Sequence, residues 1–296
     1  MSGEEKDILL EEVRELRRGE PENRANTARI LNEKRVLGPP LDEKHAKAEM
    51  SKRSRRTFLI GGAAALTAFF GWRWMPDEAK MGLLRRTLEF NETFGRFFYK
   101  PSRLAPEFPP ERISPRRVNG MIGMEQELDQ AAWSLNVGGV YGAEKDLVLS
   151  LEDLRALPRT EMITELMCIE GWSIIVQWAG VRFSDFAQKY SPKTIDGSRP
   201  DVAGRPDKLL PYVSLSTPDN GYFVGWDTAS ILHPQTLLAY EMNGEPLLPE
   251  HGAPLRLASP TKYGIKQIKR IGRIEFTAER PRDYWAESGY DWYSGL

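Results

Sequence analysis

Residues 164–173 read Thr-Glu-Leu-Met-Cys-Ile-Glu-Gly-Trp-Ser (TELMCIEGWS) and hold Cys168, the single cysteine of a 296-residue chain. Met162 to Ile169 has the length and mixed polarity of a strand and Gly171 follows it, so Cys168 is predicted near a strand end at a turn. A residue in that place can present its side chain to a cleft. The local pattern leaves three roles open. A free cysteine is most often a small buried hydrophobe. A hydrolase nucleophile needs a histidine base, and His45, His233 and His251 are the only histidines, none in a cysteine-protease context. The third role is a soft-metal ligand. One thiolate cannot build a structural zinc or iron–sulfur site, so it would complete the coordination of a metal already held by sulfurs of an organic cofactor.

Composition narrows the partners. Lys plus Arg (41) balance Asp plus Glu (42), so no global basic field draws the chain onto nucleic acid, and none is expected as a partner. A single cysteine excludes an intramolecular disulfide. With 25 Gly and 21 Pro, turns and irregular connections are expected rather than a helical bundle.

Along the chain three parts are expected. Residues 1–50 form a charged segment with little apolar surface to bury, read as peripheral and cytoplasmic. Residues 51–75 open with Ser-Lys-Arg-Ser-Arg-Arg-Thr-Phe-Leu-Ile and continue with Gly-Gly-Ala-Ala-Ala-Leu-Thr-Ala-Phe-Phe-Gly-Trp, the pattern of a twin-arginine export signal or membrane anchor. As a helix, Thr57 to Trp72 would span about 24 Å, short of a hydrocarbon core of about 30 Å. Trp72 and Trp74 suit an interface, where indoles sit at headgroup depth. Membrane association through residues 57–72 and a periplasmic or extracytoplasmic location are therefore expected. Residues 76–296 form the third part: a helix over DEAKMGLLRRTLEFNETFGRFF, a proline-rich extended run, then short strands and turns that begin with VNGMIG and WSLNVGG. Ser150 and Asp153 fit a capping box that opens a short helix.

A basic cradle lies further on, in HGAPLRLASPTKYGIKQIKR (251–270), where His251, Arg256, Lys262, Lys266, Lys269 and Arg270 crowd between turn-forming prolines and glycines. Converging guanidinium and ammonium donors suit a phosphate, although a solvated basic hairpin has the same composition. Alternation across 264–269 predicts a strand with Gln267 and Lys269 on one face and Ile268 as anchor on the other.

MCIEGWSIIVQWAGVRFSDF, HPQTLLAYEMNGEPLLPEHGAPLRL and SPTKYGIKQIKRIGRIEF, taken together and in this order, resemble the sulfite-oxidase family of molybdopterin enzymes. The resemblance is nearer to its bacterial branch of exported, haem-free catalytic subunits, which includes periplasmic methionine sulfoxide reductases. It spans roughly residues 86–280. It implies an α+β fold of mixed sheets with short helices, preceded here by the signal or anchor helix, and a mononuclear molybdenum held by molybdopterin. By position it implies that Cys168 binds the metal as thiolate, a soft donor for a sulfur-rich site. It further implies that His251 and Arg256 contact pterin and phosphate, that Gln267, Ile268 and Lys269 line the cofactor, and that Thr217 contacts the pterin. Asn91, with Phe94 and Gly95, aligns with a polar residue near the metal and its neighbours, and Arg96 with a substrate-side positive charge.

The implied reaction is oxygen-atom transfer on a small sulfur- or nitrogen-containing substrate. Neither a haem-binding nor an immunoglobulin-like domain is expected, so electrons would pass to or from a separate partner, a membrane quinone-linked subunit or a cytochrome. His251 matches the oxidases where the sulfoxide reductases commonly carry Asn, which leaves direction open. The alternative is a cofactor-binding electron-transfer or sensory subunit without its own turnover.

Overall fold

Period-two burial makes Arg159–Met167 (β3) a strand: Met162, Thr164 and Leu166 are buried while Glu161, Ile163 and Glu165 are not. Its neighbour Ser173–Arg182 (β4) runs antiparallel to it from Arg159 opposite Val181 to Met167 opposite Ser173. The computed structural model describes residues 73–295. The charged segment, the twin arginines and the apolar run to Trp72 lie outside the described residues, as does Leu296.

From Asp77 onward the chain forms one unit built on two sheets. In the first, Leu135–Gly138 (β1), Leu147–Leu149 (β2), Tyr212–Ser216 (β5), Phe223–Asp227 (β6) and Arg273–Thr277 (β10) are ordered β2-β1-β10-β5-β6. All pairs are antiparallel except β1 with β10, which places Asn136 beside Arg273. In the second, β3 and β4 are followed by Leu237–Met242 (β7) and Glu245–Pro246 (β8), and Arg256–Ala258 (β9) pairs with β7. The larger apolar core joins both sheets through Leu135, Val213, Trp226, Val181, Leu238 and Leu257, and Ile268, Ile271 and Ile274 complete it. A smaller core, with Met162, Leu166 and Trp178, fills the region beneath β3 and β4.

The helices are Asp77–Phe98 (α1), Leu151–Arg155 (α2), Phe183–Lys189 (α3), Thr228–Ile231 (α4) and Tyr284–Glu287 (α5). Of these only α1 exceeds seven residues. It covers the expected span. The predicted capping box opens α2: Asp153 N–H donates to Ser150 Oγ at 3.2 Å, and Ser150 N–H to Asp153 Oδ2 at 2.8 Å. Mixed sheets with short helices are thus as expected. Among the described residues no helix is long and apolar enough to cross a membrane.

Two sequence readings need correction. The VNGMIG stretch is irregular, not a strand, and Gly120 and Gly123 adopt positive φ. Gly264–Lys266 is a 3-10 turn, and no strand forms across 264–269. The alternation there has another cause: Ile265 and Ile268 sink into the interior while Lys266 finds a buried carboxylate, Asp283, at 2.5 Å.

A register shift between Ala179 and Gly180 lets β4 follow β7. A Cβ on Gly180 would lie 2.1 Å from Leu238 O and 2.6 Å from Ala239 Cα, both backbone atoms that cannot swing aside. Gly180→Ala is therefore expected to cost about 1–3 kcal/mol, measured as a lowered urea midpoint with unchanged m-value.

Candidate cofactor site

Cys168 directly follows β3, in phase with the buried positions 162, 164 and 166. The hairpin then closes. Gly171 N–H donates to Cys168 O at 3.1 Å and Cys168 N–H to Trp172 O at 2.9 Å, with Gly171 at φ +86° where a side chain would be strained. This fixes the half-buried thiol at the edge of a cavity of about 190 Å³. Burial pushes the Cys168 thiol above its ordinary pKa, and the neighbouring Glu170 carboxylate adds to the shift. A nucleophilic cysteine needs the opposite environment.

The same cavity is lined by Arg256, Gln267 and Lys269, so four of the expected residues meet there. Arg256 is buried and stacks 4.5 Å from the Trp178 ring centroid. It donates to His251 O at 3.0 Å and to Gln267 O at 3.4 Å, while its Nε has no partner. Burial lowers its pKa to about 10. Lys269 donates to Glu250 O at 3.0 Å, Gly120 O at 2.9 Å and Asn119 O, and burial lowers its pKa to about 7. Neither cation forms an ion pair with a carboxylate of the described residues. Buried charge is ordinarily paired, so this arrangement calls for an anion. His251, buried behind Arg256, has its pKa lowered by burial and then by Arg256, which keeps the imidazole from adding a further buried charge.

The segment Lys262–Ile271 supplies the cavity floor without regular pairing, and side chains satisfy its carbonyls. Tyr222 Oη donates to Ile265 O at 2.6 Å, Trp226 Nε1 to Lys266 O at 3.0 Å, and Trp133 Nε1 to Ile271 O at 3.0 Å. Gln267 Nε2 donates to Ser259 O at 2.7 Å and Lys262 O at 3.0 Å. Two buried lysines anchor the other flank: Lys266 donates to Trp292 O at 2.6 Å and Lys262 to Tyr293 O at 2.8 Å. Lys262 lies 3.7 Å from Asp227, too far for a hydrogen bond, and 2.9 Å from the Tyr293 ring centroid.

Other expected residues lie elsewhere. Ile268 is core, 1% exposed, and holds the segment from behind. Thr217 borders a different cavity and is engaged by Asp219 at 2.6 Å and by Tyr222. Asn91, Phe94, Gly95 and Arg96 lie on α1 and do not line the Cys168 cavity. Gly95 packs on Tyr293, and Arg96 pairs with Glu92 at 3.0 Å. Trp178 and Trp226 are core. Trp172 carries Arg117 at 4.2 Å and donates to Glu170 at 2.8 Å, and Trp285 does line the cavity. Sequence reasoning missed Tyr222, Tyr290 and the irregular Asn119-Gly120 pair, which also line it. An Asn-Gly pair signals a turn, but nothing local links it to Lys269, 150 positions away.

With this geometry in view, a family model described as "oxidoreductase molybdopterin binding domain" matches residues 122–285. A Campylobacter jejuni protein named protein-methionine-sulfoxide reductase catalytic subunit MsrP is 34% identical over 267 residues, 82% of this chain and 81% of that one. An Azospira oryzae protein with the provisional name protein-methionine-sulfoxide reductase subunit YedZ1 is 31% identical over 276 residues, 91% of this chain and 98% of that one. A Bacillus subtilis oxidoreductase, YuiH, of uncharacterised activity is 36% identical over 163 residues, 55% of this chain and 74% of that one. The chain belongs to the molybdopterin-binding oxidoreductases of the sulfite-oxidase family. It is a molybdenum-dependent oxidoreductase with molybdopterin as its cofactor.

The residues present fit that group. A lone thiol and two cations without counter-ions face one cavity, and a buried guanidinium nitrogen is left without a partner. Among the described residues no cluster of three His, Cys, Asp or Glu side chains could hold a metal by itself, which suits a metal whose other donors belong to the cofactor.

Two outcomes are expected. Arg256→Met should reduce cofactor content at least tenfold and change the stability of the cofactor-free protein by less than about 2 kcal/mol, because removal of an unpaired buried charge offsets the loss of the bonds to His251 O and Gln267 O; molybdenum analysis and urea unfolding would read the two. The second concerns Lys262, whose pKa burial lowers from 10.5 to about 7, opposed by Asp227 and reinforced by Lys266 and Arg96. Between those values the unfolded chain binds more protons than the folded one, so stability rises with pH across that window and the full penalty is present below about 7. Lys262→Met should gain less stability than the parent between pH 7 and 10, by about 1–3 kcal/mol, in urea titrations of the cofactor-free protein.

Proposed function

We propose that this chain is the catalytic subunit of an oxygen-atom-transfer enzyme that reduces methionine sulfoxide or a related small sulfoxide. In this reading it is exported through the twin-arginine route and receives electrons from a separate membrane-linked or cytochrome partner. The observation that carries it is the meeting of Cys168, Arg256 and Lys269 in one cavity whose single lining carboxylate, Glu170, accepts from Trp172 and pairs with neither cation. The names of the Campylobacter and Azospira relatives support the sulfoxide as substrate.

Cys168 would be the protein's donor to the metal, and Arg256 and Lys269 would hold the phosphate, with Gln267 and the Gly264 backbone along the pterin. When bound, the molybdenum centre supplies two-electron exchange of an oxygen atom. The chain's own contribution is position, charge and exclusion of water. The hairpin turn fixes the thiol, and the bonds to Ile265 O and Lys266 O hold the floor against displacement. Arg256 and Lys269 are held by backbone carbonyls and do not have to reorganise around an anion. Trp285 and Tyr290, edge to face at 5.1 Å, give the cavity an aromatic wall suited to a sulfur-bearing side chain.

The test is expression in a host that makes molybdopterin, followed by molybdenum analysis and turnover of N-acetyl-methionine sulfoxide with a reduced dye as electron donor. Near one molybdenum per chain is expected, and Cys168→Ala should lose at least 100-fold in turnover. Full turnover by Cys168→Ala would sink the assigned role. Bound molybdenum without turnover on sulfoxides or sulfite would favour an electron-transfer or sensory subunit instead.

A further inference from the structure

Helix α1 carries its apolar stripe on the wrong side for a core helix. At 3.6 residues per turn, Glu92, Gly95, Arg96 and Tyr99 share one side, and this side faces the protein. Glu92 accepts from Arg280 at 2.6 Å, Gly95 lies against the Tyr293 ring, Arg96 stacks 5.4 Å from the centre of that ring, and Tyr99 Oη donates to Ala229 O at 3.0 Å. Leu83, Phe90, Phe94, Phe97 and Phe98 lie on the opposite side, 47%, 66%, 56%, 79% and 53% exposed. Their rings cluster with one another instead of with the core: Phe94 meets Phe98 at 4.6 Å and Phe97 meets Phe98 at 5.1 Å. From Leu83 to Phe97 the stripe runs about 21 Å along the helix. Water is a poor neighbour for a row of this size, and contiguous apolar patches mark contact surfaces.

Sequence says what the stripe meets. The uncharged run Thr57–Trp72, flanked by basic residues, ends five positions before α1 begins at Asp77. Five residues span at most about 18 Å, so a bilayer that takes up the first segment lies within reach of the second. Arg86 sits at one margin of the stripe and Lys80, paired with exposed Asp77 at 2.9 Å, at the other, and exposed Lys100, Arg103 and Leu104 follow the helix. Aromatics in the middle with cations at the margins suit a lipid interface with anionic headgroups. A second copy of this helix would instead set like charges against each other.

We propose that the Leu83–Phe90–Phe94–Phe97 face of α1 lies on the membrane surface and seats the catalytic unit against the bilayer. The proposal rests on reading residues 57–72 as a membrane segment, and it assigns a second, distinct contact to the folded unit.

The test places a photoreactive p-benzoylphenylalanine at position 94, 97 or 148 of the full-length chain, mixed with vesicles of phosphatidylethanolamine and phosphatidylglycerol (3:1) and irradiated. Val148, exposed on β2, serves as control. Flotation of the unsubstituted chain reports independently on residues 57–72. Lipid adducts at 94 and 97, at least fivefold above those at 148, are expected. If the chain floats but position 94 couples to a second copy, couples to its own residues 57–72, or yields nothing, the seating face is wrong while the anchor stands. A chain that neither floats nor forms lipid adducts overturns both.

Discussion

The structure turns on one constraint: Lys262–Ile271 runs between two sheets without joining either as a strand, yet its carbonyls cannot be left bare. Each unpaired buried carbonyl costs on the order of 1–3 kcal/mol. Here tyrosine, tryptophan, glutamine and arginine side chains supply the missing donors. Trp226 comes from β6 of one sheet, Tyr222 from the residue just before that strand and Arg256 from the other sheet, so the segment is referenced to both. Any displacement would break several bonds together, which makes it a rigid floor for a cavity.

That rigidity matters because the electrostatics of the cavity are unfavourable without its ligand. Arg256 and Lys269 are held by carbonyl oxygens and, for Arg256, by the Trp178 ring, with no carboxylate paired to either, and burial lowers the pKa of both. A protein that only needed stability would do better with apolar residues at these positions. The cations are instead kept ready for an anion that the protein does not itself contain. Binding then recovers what folding gave up, and linkage makes the loaded protein the more stable one.

The lone thiol follows the same logic. Burial and Glu170 raise its pKa, so it is a poor thiolate until a metal competes with the proton. Inertness in the empty state and strong binding in the loaded one come from one environment.

Much of this was legible in the sequence where the controlling interactions are local. Mixed polarity at strand length over Met162–Ile169, with Gly171 beyond it, placed Cys168 at a strand end, and Ser150 with Asp153 announced the start of α2. The 264–269 stretch was misread because its apolar residues, Ile265 and Ile268, are three apart, the spacing that stacks side chains in a 3-10 turn and not the spacing of two that one strand face requires. Only a partner 17 positions on, Asp283, shows that Lys266 points inward. Motif order was enough to group Cys168, Arg256, Gln267 and Lys269, since a cofactor fixes their chemistry. Tertiary structure alone decided that Thr217 belongs to another cavity, that α1 turns its phenylalanines away from the core, and that the two cations lack counter-ions. Those facts depend on which distant carbonyl or ring comes to lie within a few ångströms, and no periodicity along the chain encodes such distances.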